Sequence, residues 1–263
     1  MKPIVVVQNN LVVRLTGPIA ERARERGITV HDLSSINDMS GMPPFPDGVE
    51  PHEAGPVLVY GSIGFVHLWA RNHPALTRWV FWSDEAASAE TWRRELGDLY
   101  LNGDGWETSV GEAIIHEIAP RHYRPMTTTK SIVGSVLSST ELADIAREKS
   151  IADDFRLWSS EPKTIDMEVR VFMIGGEVAG HSVYRRDGGF CYDNTDSRVP
   201  DALRAAQTIT QRWSPARHFV CDVGLVGGEW KLIEFNPLHS SGWYGTDVGA
   251  VLDAYIKYES ETH

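Results

Sequence analysis

The chain has 263 residues, of which 42% are hydrophobic and 23% charged, a composition typical of a globular protein and not of a disordered one. Asp and Glu outnumber Lys and Arg by 36 to 25, so the formal net charge is −11. That balance argues against a basic surface that binds nucleic acid or an anionic membrane. The two cysteines exclude a disulfide scaffold, and the first apolar run, Ile4–Val7, is too short for a signal peptide or a membrane span. We therefore expect a cytoplasmic protein and do not expect nucleic acid as a partner.

The first 85 residues predict an alternation of strands and helices. The predicted elements are strands at 4–7, 28–33 and 57–60 and helices at 17–26 and up to residue 71. Pro18 suits the first turn of its helix. A stretch rich in proline and glycine predicts a loop over 40–56. This alternation indicates a parallel α/β layer.

The remainder of the chain predicts helices first and then mainly strands. Helices are expected at 87–101, 108–118, 139–148 (capped by Ser139 or Thr140), 201–213 and 246–258, and strands at 122–125 and 132–137. Two strand pairs, 167–174 with 177–184 and 218–226 with 230–236, flank Gly-Gly dipeptides and predict hairpins. We predict three units, residues 1–88, 89–160 and 161–263.

The second hairpin gathers acidic residues on one face. A three-residue loop, Gly227–Glu229, would set Asp222 opposite Glu234, and alternation would add Asn236 to the same face. The opposite face would be an apolar layer of Cys221, Val223, Leu225, Ile233 and Phe235. Facing carboxylates repel each other, and bound Mg²⁺, which prefers oxygen ligands, would compensate them. The alternative is that the two acids are solvated and that Asn236 only begins a turn.

Several motifs together carry a family resemblance. Asp222-Val223-Gly224, followed after a glycine turn by Ile233-Glu234-Phe235-Asn236-Pro237, resembles the metal-binding end of ATP-grasp enzymes. Glu168-Val169-Arg170, with the hairpin after it, resembles a central strand pair of that fold. Tyr123-Arg124-Pro125 has Arg where most members have Lys, as in the R2K clade. The resemblance covers about 120–258 and implies an ATP-grasp fold (α/β plus α+β) behind an N-terminal parallel α/β domain.

The resemblance implies an ATP-dependent carboxylate–amine ligase that works through an acylphosphate. Asp222, Glu234 and Asn236 would hold Mg²⁺. The side chains that would bind ATP are Arg124, Lys130, Glu161, Lys163 and Glu168. For Lys130 the alternative is a solvent-exposed side chain. The rival functions are a phosphotransferase of the same fold and a nucleotide-binding module without turnover.

Two arginines are the catalytic candidates. Arg170 shares a strand face with Glu168 and would bind the γ-phosphate or the acylphosphate; the alternative is a cross-strand ion pair. Alternation lets only one of Arg185 and Arg186 face the site, and we favour Arg185 over an ordinary basic strand end.

The substrates themselves are not identified by the sequence. They would be a small-molecule or peptide acid and an amine, and a homodimer is left open. In the loop after the metal motif, Trp243 and Tyr244 are candidates for lining the substrate pocket. The turn Gly61–Gly64 could bind a substrate carboxylate through backbone N–H groups, although a plain tight turn is favoured.

Overall fold

The computed structural model describes residues 2–8, 13–33, 55–73, 83–126 and 132–262. Lys130 and most of the loop predicted over 40–56 lie outside these ranges. Within them, no helix combines the length and the apolar character needed to cross a bilayer.

Twelve strands and eight α-helices are found in the described ranges. In chain order they are β1 Ile4–Gln8, α1 Val13–Glu25, β2 Thr29–Leu33, β3 Val57–Tyr60, α2 Ile63–Asn72, α3 Asp84–Ala87, α4 Ala89–Leu96, β4 Trp106–Ser109, α5 Val110–His116, β5 Arg121–Pro125, β6 Ser135–Leu137, α6 Ser139–Glu148, β7 Arg156–Ser160, β8 Met167–Ile174, β9 Glu177–Arg186, β10 Gly189–Phe190, α7 Val199–Arg212, β11 His218–Val226, β12 Glu229–Pro237 and α8 Val248–Thr262.

The N-terminal sheet has the strand order β2-β1-β3, and both pairings are parallel. The predicted parallel layer is therefore confirmed. Helix α1 begins at Val13, so Pro18 lies inside it and not in its first turn as predicted. An internal proline removes one helical hydrogen bond. Burial of Ile19, Ala20 and Ala23 in the core holds the helix in place, because tertiary packing contributes most of the stability of protein helices.

The second sheet, β4-β7-β5-β6, is antiparallel and carries α5 and α6. The cap of α6 is Ser138, not Ser139 or Thr140. The Ser138 hydroxyl accepts the backbone N–H of Glu141, and the Glu141 carboxylate accepts the Ser138 N–H in return. This reciprocal pair satisfies two amides at once, so it decides where the helix begins. The helix predicted over 87–101 is shorter: α4 ends at Leu96, because Gly97 has a φ of 59°, and a 3₁₀ turn, Gly97–Leu99, follows it.

The third sheet, β10-β9-β8-β11-β12, is antiparallel throughout. Both Gly-Gly hairpins are confirmed, and all four glycines have positive φ, as two-residue type I′ turns require. The predicted three-residue loop Gly227–Glu229 is wrong, because Val226 pairs directly with Glu229.

A β-bulge in β12 restores the predicted pairing of the acids. Beyond the turn, Val223 faces Leu232, and then the register shifts so that Asp222 faces Glu234. The extra residue is Ile233, which was predicted in the apolar layer. Ile233 lies instead beside Gly224, since a Cβ added to Gly224 would come within 2.9 Å of Ile233 Cδ1. Leu232 takes the buried position.

The two faces of the third sheet are used differently. One face packs against α4 and α7 in a continuous apolar core. On the other face, Phe172, Ile174 and Val220 pack with residues of the N-terminal sheet, α1 and α8. We call this apolar contact between the third sheet and the N-terminal part the apolar seam. Next to it on the same strands lie Arg170 and Asp222, which are buried and directly opposite each other in the strand register. The polar groups are thus collected at the edge of the seam.

Candidate active site

Arg170 and Asp222 form the centre of the polar region. Arg170 Nε donates to Asp222 Oδ1 at 2.8 Å, and one terminal nitrogen donates to Oδ2 at 2.6 Å. The other terminal nitrogen donates to the Gly242 carbonyl at 3.2 Å. The Asp222 side chain is fully buried. Burial by itself lowers the pKa of Arg170, but the adjacent carboxylate outweighs it, so the pKa lies above its usual value and the guanidinium stays charged.

Asn236 bridges the two facing carboxylates. Its amide nitrogen donates to Asp222 Oδ2 at 3.0 Å and to Glu234 Oε1 at 2.9 Å. The second Glu234 oxygen lies 3.5 Å from a terminal nitrogen of Arg124, which comes from β5 in the other antiparallel sheet. The Arg124 guanidinium also lies 4.4 Å from the centre of the Trp92 ring. The predicted metal trio and Arg124 therefore come together where the two sheets meet.

The trio fits a hard divalent cation by its donor chemistry. Both carboxylates converge on one electropositive group, the Asn236 amide nitrogen. Rotation of that amide exchanges its nitrogen for its oxygen, which yields the carboxylate and amide oxygens that Mg²⁺ prefers. No cluster of three or more His, Cys, Asp or Glu residues suited to a metal occurs in the described part of the chain, so the carboxamide is needed to complete this set.

Glu168 and Arg185 flank the central ion pair. The Tyr184 hydroxyl donates to Glu168 Oε2. Burial raises the pKa of the Glu168 carboxyl, the bond from Tyr184 and the charge of Arg185 lower it, and the net pKa is raised. Arg185 is exposed and lies opposite Glu168 in the strand register. Arg186 is instead engaged by acidic side chains, at 2.9 Å from Asp196.

Stacked tyrosine rings cover the Arg170 guanidinium. Its carbon lies 5.6 Å from the Tyr184 ring centre and 5.0 Å from that of Tyr244, and the two rings stack on each other at 5.2 Å. Tyr244 thus borders the candidate site, and its role in lining a substrate pocket stays a prediction. Trp243 does not, because it is buried between Tyr60 and Phe172 with centroid distances of 5.0 and 4.9 Å. Tyr184 was missed, although it directly precedes Arg185.

The predicted nucleotide contacts after β7 lie on an exposed link between the sheets. Lys163 donates from Nζ to Asp104 Oδ1 at 2.7 Å and to the Glu161 carbonyl at 3.0 Å. The Glu161 carboxylate accepts from Arg121 at 2.6 Å and is two-thirds exposed. These two side chains therefore bond to the second sheet and to the turn before β4, and the fold does not bring them to the central ion pair.

His122 is a further polar residue that the sequence reasoning missed. Burial and the charges of Arg124 and Lys163 lower the pKa of its imidazole to about 4. The ring therefore shares the electrostatic environment of both cations and stays neutral at neutral pH. Its Nδ1 lies 3.4 Å from the Ser160 hydroxyl. The two-residue spacing from Arg124 on one strand face was the signal that could have found it.

Comparison with known proteins decides the family. The model of the ATP-grasp domain, R2K clade family 2, matches residues 100–254. The chain belongs to this ATP-grasp family. A search of curated proteins finds no significant match.

The structural similarity to solved ATP-grasp proteins extends beyond residues 100–254 to nearly the whole chain. A RimK domain ATP-grasp protein from Sphaerobacter thermophilus DSM 20745 is 16% identical with a TM-score of 0.61, covering 96% of this chain and 98% of that chain. D-alanine–D-alanine ligase from Bacillus anthracis is 10% identical with a TM-score of 0.60, covering 100% and 98%. The ATP-grasp ligase PsnB, complexed with minimal precursor, Mg and ADP, is 18% identical with a TM-score of 0.55, covering 97% and 98%. At these identities the likeness shows the ATP-grasp fold.

Proposed function

We propose that this ATP-grasp protein is an ATP- and Mg²⁺-dependent ligase that joins a carboxylate to an amine through an acylphosphate. The observation that supports it most is the convergence of Asp222, Glu234 and Asn236 beside Arg170 and Arg124. The PsnB structure that shares the fold contains Mg and ADP. The substrates would be a small-molecule or peptide acid and an amine.

The proposed reaction has two steps. A carboxylate oxygen attacks the γ-phosphorus of ATP, and the bond to the β–γ bridging oxygen breaks to release ADP. The amine nitrogen then attacks the acyl carbon, the carbon–oxygen bond to phosphate breaks, and the amine loses a proton. The first step brings an anion toward a polyanion, so cationic groups must neutralise the developing charge.

The arginines of this chain are suited to that neutralisation. We assign Arg170 and Arg185 to the transferred phosphoryl group, because Arg170 is buried at the trio and Arg185 is exposed beside Glu168. A guanidinium stays charged and can bind two oxygens at once. Mg²⁺ held by the metal trio would supply further neutralisation of phosphate charge.

The nucleotide would lie between the two antiparallel sheets. Arg124 reaches across from β5 to Glu234 on β12, and we assign it to phosphate. We further propose that Glu161 and Lys163 contact the nucleotide from the link after β7, and that Lys130 and Glu168 complete the set. This proposal keeps the division of the chain into units 1–88, 89–160 and 161–263.

Thermal unfolding with Mg²⁺ and ATP, ADP, GTP or no nucleotide tests the proposal. A ligand at a hundredfold excess over Kd stabilises the folded state by about 2.7 kcal/mol, which for a chain of this size raises Tm by roughly 5–11 °C. We expect this shift with ATP and Mg²⁺, and we expect Glu234→Gln to lose it. The matched control is Glu229→Gln, an exposed residue at the start of the same strand, which should respond like the wild type.

Product analysis then separates the chemical outcomes. Release of ADP and phosphate that requires both an acid and an amine would support the ligase. A stable phosphorylated acceptor formed without any amine would instead identify a phosphotransferase. Absence of a nucleotide shift in the wild type, or an unchanged shift in Glu234→Gln, would overturn the assignment of the trio.

A further inference from the structure

The N-terminal sheet has a topological switch point that does not include the metal trio. From β1 the chain moves to β2 on one side, and β3 then lies on the other side of β1. In parallel α/β sheets, ligands bind in the crevice outside the carboxyl ends of the strands at such a point. Gln8 ends β1 and Tyr60 ends β3, so these residues border the crevice.

Gln8 presents an unsatisfied amide at this point. The side chain is 1% exposed, and its Oε1 accepts the Ser62 backbone N–H at 2.9 Å. Its Nε2 has no hydrogen-bond partner among the described residues. Gly61 permits this approach, because a Cβ there would come within 2.8 Å of the Gln8 Cβ. Buried amide donors are rarely left unpaired, so Nε2 is available to donate to a bound ligand.

His239, in the loop after the metal trio, has a second nitrogen without a hydrogen-bond partner in the described part of the chain. The residue is 5% exposed, and its Nε2 has no partner within the described ranges. Its carbonyl accepts the Gly61 N–H at 2.9 Å, and its ring centre lies 6.4 Å from that of His67 on α2. Burial, aided by the nearby His67, lowers the pKa of His239 to about 3. The imidazole is therefore a neutral hydrogen-bonding group.

The N-terminus of α2 completes the crevice. Ser62 caps the helix, its hydroxyl accepting from Phe65 N and its carbonyl from Val66 N. The amides of Ile63 and Gly64 belong to the first turn, which has no intrahelical acceptor for them. A helix N-terminus with free N–H groups attracts anions. The crevice thus combines the positive end of α2 with two buried side-chain nitrogens.

The chemistry of these groups favours a carboxylate that is bound and not activated. The donors that the described residues contribute to the crevice are neutral, which suits the single charge of a carboxylate better than a phosphate. The cations that would activate an acid, Arg170 and Arg124, belong to the neighbouring site. That site is close, because the Tyr60 hydroxyl at the end of β3 donates to the Ser241 carbonyl, and Arg170 donates to the carbonyl of the next residue, Gly242.

We propose that this crevice binds the carboxylate of a free amino acid, whose amino group is the nucleophile of the ligation. The inference deepens the proposed function and rests on it. The amino acid would lie between Gln8 and His239 at one end and the trio at the other. The acid substrate would enter separately, against Arg170.

Binding can be measured without nucleotide, with acetate as the probe. The protein is labelled at histidine with ¹⁵N and titrated with sodium acetate at constant ionic strength, with chloride as the comparison anion. We expect the His239 and His67 imidazole signals to move saturably with acetate and not with chloride. Signals that do not move with acetate would overturn the inference.

Matched variants locate the carboxylate. Gln8→Glu keeps the oxygen that accepts from Ser62 N but loses the amide donors, and should raise the half-saturating acetate concentration at least tenfold. The control Gln211→Glu adds the same charge on an exposed part of α7 and should bind like the wild type. Equal acetate binding by Gln8→Glu and Gln211→Glu would overturn the inference.

A second variant covers the case in which Gln8→Glu fails to fold. Ile63→Pro removes one free amide, and Ser62, with φ −65° and ψ 153°, already has the conformation that precedes a proline. It should weaken acetate binding severalfold relative to Ile63→Ala. Equal acetate affinity in Ile63→Pro and Ile63→Ala would overturn the inference.

Turnover assays distinguish this inference from the proposed function. The twenty common amino acids and their amides are screened as the amine substrate in an ADP-release assay. We expect ADP release with the free amino acids and not with their amides, because only the free amino acids carry a carboxylate. Gln8→Glu should raise their KM at least tenfold while the KM for ATP is unchanged. An intact ATP–Mg²⁺ shift without acetate binding would refute the crevice and leave the ligase; acetate binding without any nucleotide shift would refute the ligase.

Discussion

The buried ion pair predicts a large difference between two substitutions that remove one carboxylate each. In Asp222→Asn, one side-chain oxygen still accepts a hydrogen bond from Arg170. The other oxygen, which accepted from a terminal nitrogen of Arg170 at 2.6 Å, is replaced by an NH₂ group, so two donors face each other. The site is fully buried, and breaking a buried pair from one side costs about 3–5 kcal/mol. Glu234, whose side chain is 35% exposed and 3.5 Å from Arg124, should contribute under about 1 kcal/mol.

Thermal and urea unfolding, followed by circular dichroism, measure this difference. At roughly 2–4 °C per kcal/mol for a chain of this size, Asp222→Asn should lower Tm by about 6–20 °C, and Glu234→Gln by less than about 4 °C. The double variant Arg170→Met/Asp222→Leu should regain much of the stability while staying inactive, because no charge is then buried alone. Equal Tm values for Asp222→Asn and Glu234→Gln would refute the structural role of the pair.

Further predictions concern pH, turns and the rival arginines. The pKa of His122 is about 4 in the folded protein against an ordinary value of 6.5, so the unfolded state binds more protons between these two pH values. The free energy of unfolding should therefore fall by up to about 3 kcal/mol as the pH drops from 6.5 to 4. His122→Gln should reduce this pH dependence in urea titrations. Gly175→Ala should destabilise more than Gly176→Ala, by about 1–3 kcal/mol in urea unfolding, because both glycines have positive φ but only at Gly175 would the added Cβ overlap the Tyr258 ring. Equal losses would contradict this. Arg185→Ala should change stability by less than about 0.5 kcal/mol and reduce ADP release, whereas Arg186→Ala should cost about 1 kcal/mol and spare it; the reverse pattern would exchange their roles.

The hairpin that carries the acids shows how far local patterns reach. Gly227-Gly228 between apolar runs indicates a turn, because glycine adopts positive φ angles without steric strain. The number of residues in the loop is not readable from that pattern, and the predicted register near the turn was wrong. The acids still face each other because the bulge at Ile233 compensates the shift. A bulge depends on packing against neighbouring strands, which a single strand's alternation does not show.

Partners of charged side chains were less predictable than their faces. The sequence placed Arg170 and Glu168 on one strand face, but not the bidentate bond from Arg170 to Asp222. Glu161 and Lys163 were predicted as nucleotide contacts, and that role stays a prediction; their partners in the fold, Arg121 and Asp104, are some 40 and 59 residues away. Long flexible side chains choose among such partners only when the backbone brings them close.

By itself the sequence determined the parallel N-terminal layer, the two hairpins and the family, because these depend on local periodicity, turn chemistry and motif order; it did not predict the strands β4, β7 and β10. Only the tertiary structure decided that Asp222 is buried against Arg170, that Arg124 reaches Glu234 from another sheet, and that Gln8 and His239 meet at the Gly61 turn. Each of these depends on contacts between residues distant in the chain. Such contacts form when burial of the apolar seam fixes the sheets against one another, and no local pattern records that arrangement.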